Sequence, residues 1–183
     1  MRRLESMVLL PALVFLGACT TTQPYPREYA ACYEMVQRHA AQLLPVFETL
    51  GYRPEIHLQL DDEMRSGRGF RKPDNVLGDA IPSGRIRLRP SRLCGNDAVA
   101  RAVLAHEMAH VALQHRGAPG SGLVLEWERP AQHETEADEL ALAVLRKAGG
   151  NPLSARYIEC RLGACGGAPG GSASSPAFRW RSQ

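Results

Sequence analysis

"LAHEMAHVAL", Leu104 to Leu113, decides how the rest of the chain is read. It holds two histidines four apart, with a glutamate directly after the first. Residues four apart share one face of a helix, so His106 and His110 can grip one metal ion from the same side. Glu107 falls beside that face, where a carboxylate can take a proton from water that the metal polarises. A helix is what the flanks predict. Asn96 is a candidate N-cap for a long helix from Asp97 to Arg116, with Gly117 past its end. His115, five residues past His110, falls off the ligand face and is not expected to bind metal.

The His-Glu-x-x-His spacing is the signature of zinc peptidases. A catalytic zinc ion needs a third protein ligand and an open position. A second stretch, "HETEADEL" (His133 to Leu140), supplies it. It lies on a helix expected from about Ala131 to Ala148 and ended by Gly149-Gly150. Glu134 and Asp138 are four apart and share a face. One can bind the metal while the other accepts a hydrogen bond from a ligand histidine. His133, Glu136 and Glu139 are rival third ligands. They sit on other faces if Glu134 points inward, and are read as solvated charge.

Around these two helices the chain alternates short elements. Thr20 to Pro26 reads as a tether. Arg27 to Leu44 reads as a helix that Pro45 should kink or end. Glu55 to Leu60 alternates, with Ile56, Leu58 and Leu60 on one face, as a half-buried strand does. Asp61 to Asn75 reads as loop. Arg85 to Arg89 alternates again, and its outward arginines suggest an edge strand guarded by charge. Asn151-Pro152 starts a third, short helix. The residues from Gly163 to Pro176 are rich in Gly, Ser, Ala and Pro and read as a flexible tail. There is no internal repeat.

The start of the chain looks like an export signal. Arg2 and Arg3 precede a mostly apolar run from Met7 to Leu16, and then Leu16-Gly17-Ala18-Cys19. That run is too short to span a bilayer, which takes about 20 apolar residues. Leu-Gly-Ala-Cys resembles the bacterial lipobox, which implies cleavage before Cys19 and lipid on it. The alternative is an ordinary signal cut near Ala18. The chain has five cysteines, an odd number. With Cys19 lipidated, Cys32, Cys94, Cys160 and Cys165 remain, and an oxidising compartment favours two disulfides. Of three possible pairings, Cys32–Cys94 with Cys160–Cys165 is preferred, because the last two close a short loop. The absence of a Cys-x-x-Cys pair argues against metal binding by these cysteines. Without residues 1–18 the chain keeps 20 basic and 18 acidic residues, net +2, with no basic stripe suited to nucleic acid. The expected organisation is signal 1–18, tether 19–26, one domain over 27–162, and tail 163–183.

Taken together, His-Glu-x-x-His followed by Glu-x-x-Ala-Asp resembles the gluzincin peptidases of the HtpX and CAAX prenyl protease family, in its short bacterial lipoprotein form. The likeness runs from Asn75 to Ala155 in collinear order. "NVLGDAIPSGRIRL" (Asn75 to Leu88) is similar to the family's Asn-Ala-x-Ala-x-Pro-x-Gly-x-Ile-x-Val segment. "NDAVARAVLAHEMAHVALQH" resembles its active-site helix, and "LAVLRKAGGNPLSA" its Ala-Gly-x-x-Pro stretch. The resemblance implies an α+β, zincin-like fold: a small twisted sheet packed on the active-site helix, with a second helix bearing a ligand. It implies one zinc ion on His106, His110 and Glu134, Glu107 as general base, and Asp138 orienting His106. It implies an endopeptidase acting on unfolded periplasmic or outer-membrane proteins, held in the outer membrane by lipid on Cys19 and facing the periplasm. By the same analogy a peptide would add to the strand Arg85 to Arg89. The alternative is a zinc-holding chaperone or assembly factor for outer-membrane proteins, with little proteolysis. One departure stands out. The family's C-terminal His-Pro finds its best match here in Ser175-Pro176, without the histidine, and Arg156, Arg161 and Arg179 are the candidate oxyanion donors in its place.

Overall fold

The computed structural model describes residues 25–65, 71–73, 75–116 and 131–165. The expected signal, Cys19, most of the tether, the segment 117–130 and the chain from 166 onward lie outside them. Ser175, Pro176 and Arg179 are therefore outside the described residues as well.

The described chain is α+β. After a 3-10 turn at Arg27–Tyr29, helix α1 spans Ala30–Thr49. It runs through Pro45 instead of ending there. An interior proline costs about 3 kcal/mol through its missing N–H and ring clash. Burying an aromatic side chain contributes about 2–3 kcal/mol, and Phe47, in the last turn of the helix, is fully buried. Continuing the apolar stripe of Val36, Ala40, Leu43 and Phe47 offsets the broken hydrogen bond.

Three strands follow: β1 His57–Leu60, β2 Gly78–Ala80 and β3 Arg85–Leu88. Their order is β1-β3-β2, with β1 parallel and β2 antiparallel to β3. The Arg85–Arg89 stretch is thus the centre of the sheet, which overturns the edge-strand expectation. Alternation reports which face of a strand is buried, not whether its two edges are paired. Ile86 and Leu88 do face the core. Two of the arginines, though, are structural and not solvated guards. Arg87 gives paired hydrogen bonds to Asp79 of β2, at 2.9 and 2.5 Å. Arg89 is buried and donates to the carbonyls of Pro73 and Lys72. Gly84 closes the β2–β3 turn at φ +94°, where a Cβ would run into the carbonyl of Glu55.

The one-turn helix α2, Pro90–Leu93, leads to α3, Asp97–Ala112. Asn96 caps α3, its side-chain oxygen accepting from the Val99 N–H at 3.1 Å. From Ala100 to Val111 every residue of α3 is buried. A helix enclosed on all sides belongs to the core, and α3 packs against α1, α4, α5 and β2. Here α4 is Ala131–Ala148 and α5 is Pro152–Arg161, capped by Asn151.

Helix α3 stops at Ala112, short of the expected Arg116. Gln114 takes a left-handed conformation at φ +57°. Its N–H bonds to the Val111 carbonyl at 3.1 Å, and the His115 N–H bonds back to the His110 carbonyl at 3.0 Å. This is the Schellman pattern, usually built on glycine.

Cys32 and Cys94 are bonded with Cα atoms 5.3 Å apart, joining α1 to the end of α2 across 62 residues. A crosslink closing a loop of that length stabilises by about 4 kcal/mol. Cys160 and Cys165 are bonded at the end of α5, Cα atoms 4.5 Å apart. No described helix is long and apolar enough to cross a membrane.

Candidate metal centre

The buried face of α4 carries Ala137, Ala141 and Asp138, small residues that let α4 pack close on α3. That packing sets Glu134 opposite the histidine pair. His106 Nε2 and His110 Nε2 are 3.0 Å apart. Glu134 Oε2 is 3.3 Å from the first and Oε1 is 3.3 Å from the second. Both histidines are buried, while the Glu134 side chain is 38% exposed, so the group opens to solvent on one side. These three residues could hold a metal ion.

The remaining nitrogen of His106 is 2.7 Å from Asp138 Oδ1. Asp138 Oδ2 accepts from Arg161 Nε at 3.0 Å, and Arg161 Nη2 reaches Glu134 Oε2 at 3.3 Å. Arg161 therefore ties the two α4 carboxylates together from α5. It is the only one of the three candidate arginines at the site among the described residues. Arg156 instead bonds Glu159 and is half exposed. The Cys160–Cys165 disulfide flanks Arg161 directly.

Charge and burial oppose each other here. Burial pushes the His106 pKa down and Arg161 adds to this, but hydrogen bonds to Asp138 and Glu134 win and raise it. Burial would raise Glu134, yet hydrogen bonds from His106 and His110 hold it far below the usual carboxylate range. Arg161 loses hydration on burial, but the charges of Asp138 and Glu134 raise its pKa.

Glu107 is buried at the start of the same turn. It lies against β2: a Cβ built on Gly78 would stand 2.9 Å from its Cγ and 3.0 Å from its Oε1. The carboxylate thus sits at the backbone of β2.

Three residues outside the expected ligand set cluster beside it. His115 is buried, with its Nδ1 3.0 Å from Nδ1 of His110. Its Nε2 is 3.0 Å from Glu136 Oε2, and the His133 ring stacks on it at 4.3 Å with planes 4° apart. His115, His133 and Glu136 form a second group that could hold a metal. Helical spacing put His115 off the ligand face because it assumed the helix continued. The Schellman turn folds residue 115 back onto residue 110, and no glycine at 114 announces it. Glu139 alone of the rival ligands is exposed.

No protein-family model matches the chain, and no curated protein does. What it does is therefore read from its residues and their geometry.

Proposed function

We propose that the chain is a zinc-dependent endopeptidase of zincin-like fold, acting on unfolded periplasmic or outer-membrane proteins. One juxtaposition carries this reading. His106, His110 and Glu134 converge on a point, while Glu107 lies against the backbone of β2. Ligand atoms about 2.05 Å from a tetrahedral centre stand about 3.3 Å apart. The separations here are 3.0, 3.3 and 3.3 Å. Two imidazoles and a carboxylate are also a donor set of catalytic zinc sites. When bound, zinc would supply a Lewis acid that polarises the scissile carbonyl and acidifies water.

The chain's own residues do the rest. Both edges of β3 are paired, and β2 is the strand next to Glu107, so a peptide passing along β2 would bring its backbone to that carboxylate. Glu107 takes the proton of the attacking water on its carboxylate and passes it to the leaving amine nitrogen. Asp138 accepts the Nδ1–H of His106 and so aims Nε2 at the metal. Arg161, engaged by both carboxylates, fixes Glu134 and Asp138 relative to each other.

The residues from Arg2 to Cys19 support export and lipid attachment at Cys19, with the protein on the outer membrane facing the periplasm. The four other cysteines all lie in disulfides, as an oxidising compartment favours. An unmodified N-terminus by mass spectrometry of exported protein would remove the lipid.

Purified protein incubated with unfolded casein, with and without chelator, tests the activity. Cleavage abolished by chelator and restored by zinc is expected. Zinc bound in stoichiometric amount with no cleavage would leave a metal site and remove the peptidase.

A further inference from the structure

We propose that His115 and Glu136 form a hydrogen-bonded relay behind His110, making His115 the positioning residue for that ligand. The relay rests on the reading of His110 as a metal ligand, and deepens it.

Proton bookkeeping fixes its direction. A neutral imidazole that gives Nε2 to a metal carries its proton on Nδ1. His110 Nδ1 faces His115 Nδ1 at 3.0 Å, so His110 donates and His115 Nδ1 must be bare. The proton of neutral His115 then sits on Nε2, which faces Glu136 Oε2 at 3.0 Å and donates to it. Glu136 Oε1 in turn accepts from Gln132 Nε2 at 2.7 Å. Every hydrogen bond in the chain from His110 to Gln132 has one donor and one acceptor. The Schellman turn holds His115 at this place by backbone, and the stacked His133 ring fixes its plane.

The same count disfavours a second metal on His115, His133 and Glu136. Metal on His115 Nε2 would put the proton on its Nδ1, facing the Nδ1–H of His110. Two N–H groups would then oppose each other at 3.0 Å. The rings of His115 and His133 are also parallel planes, and imidazoles sharing an ion point their in-plane lone pairs at it.

The two sides of the metal group are then built alike. Asp138 orients His106 directly, and Glu136 orients His110 through His115. Partners of ligand histidines are typically worth about tenfold to a hundredfold in metal affinity.

Zinc competition titrations test this in wild type, His115→Phe and His115→Asn. Phenylalanine keeps the ring volume without an acceptor. Asparagine places Oδ1 where Nδ1 was. We expect about tenfold to a hundredfold weaker binding for His115→Phe, and recovery of most of it in His115→Asn. Nitrogen-15 correlation spectra of the zinc-loaded wild type should show His115 protonated at Nε2 alone and His110 at Nδ1. Wild-type affinity in His115→Phe, or His115→Asn as weak as His115→Phe, would overturn the relay. So would a His115 proton on Nδ1, or a second zinc equivalent lost in His133→Ala. Because none of these readouts is peptide hydrolysis, a protein that binds zinc and cleaves nothing leaves the relay standing.

Discussion

Gly78 faces Glu107 with no room for a side chain between them: a Cβ there would stand 2.9 Å from Glu107 Cγ and 3.1 Å from Leu88 Cδ2. Leu88 is fixed in the core of the sheet, so the flexible glutamate is what would give way. In Gly78→Ala the carboxylate should shift while His106, His110 and Glu134 keep their places. Misplacing a catalytic group by about 1 Å can cost on the order of a hundredfold. Casein cleavage by Gly78→Ala should therefore drop steeply at unchanged zinc content. Wild-type rates in that variant would mean that the contact does not position Glu107.

The ligands separate by metal analysis. His106→Ala, His110→Ala and Glu134→Ala should each lose zinc sharply, because each removes one corner of the same triangle. His133→Ala should retain it, since that ring stacks on His115 and is no corner of the triangle. Full zinc occupancy in Glu134→Ala would strike Glu134 from the site.

Asp138→Asn should keep zinc but bind it about tenfold to a hundredfold more weakly. The amide oxygen can still accept from His106, but without the charge, and Arg161 loses an ionic partner. Competition titration against a chromogenic chelator reads this directly. Unchanged affinity would make Asp138 a packing residue.

The group that could hold a metal was legible because two four-residue spacings, one on α3 and one on α4, are local information. Asn96 and Asn151 cap where their positions suggest, and α4 begins and ends where Ala131 and Gly149-Gly150 predict. What escaped is non-local. The pattern Arg85-Ile86-Arg87-Leu88 says which side chains are buried, but pairing on both flanks depends on β1 and β2, the latter closed by the Gly84 turn. Arg87 looked solvated because its partner Asp79 lies on another strand. His115 escaped because a left-handed Gln114 gives no glycine signal. Its side chain compensates in part, bonding the carbonyls of Val111 and Pro82.

The buried ion group on the sheet gives a pH dependence. Burial alone would raise the Asp79 pKa, yet hydrogen bonds from Arg87 and the charge of Lys72 hold it below the ordinary value. Burial drags Lys72 down in spite of Asp79, and it would lower Arg87 too, but hydrogen bonds to Asp79 and its charge raise Arg87. A carboxylate whose folded pKa is depressed stabilises the fold above its unfolded pKa of about 3.9. That stability is lost as pH falls through the lower folded value. Asp79→Asn should cost about 3 kcal/mol near neutral pH, since it leaves a buried arginine and lysine uncompensated. In urea unfolding of the chelated protein, the gap to wild type should narrow below about pH 4. A gap that stays constant from pH 7 to 3 would show that Asp79 is not charged in the folded protein.

Glu107→Gln separates a peptidase from a protein that only holds zinc and binds unfolded clients. Glu107 contributes nothing to the triangle of His106, His110 and Glu134. Glutamine preserves its length and its fit beneath Gly78, so fold and zinc content should survive. What it cannot do is accept a proton from the attacking water. Loss of general-base catalysis alone is worth roughly a hundredfold to ten-thousandfold, well above the scatter of a casein assay. Client binding does not need the proton transfer, so a chaperone would be unaffected by the change. The decisive comparison is zinc-loaded wild type against zinc-loaded Glu107→Gln, measured for both cleavage and suppression of casein aggregation. Collapse of cleavage with holding intact supports Glu107 as the base. If neither protein cleaves and both suppress aggregation equally, the peptidase proposal gives way to the binding one.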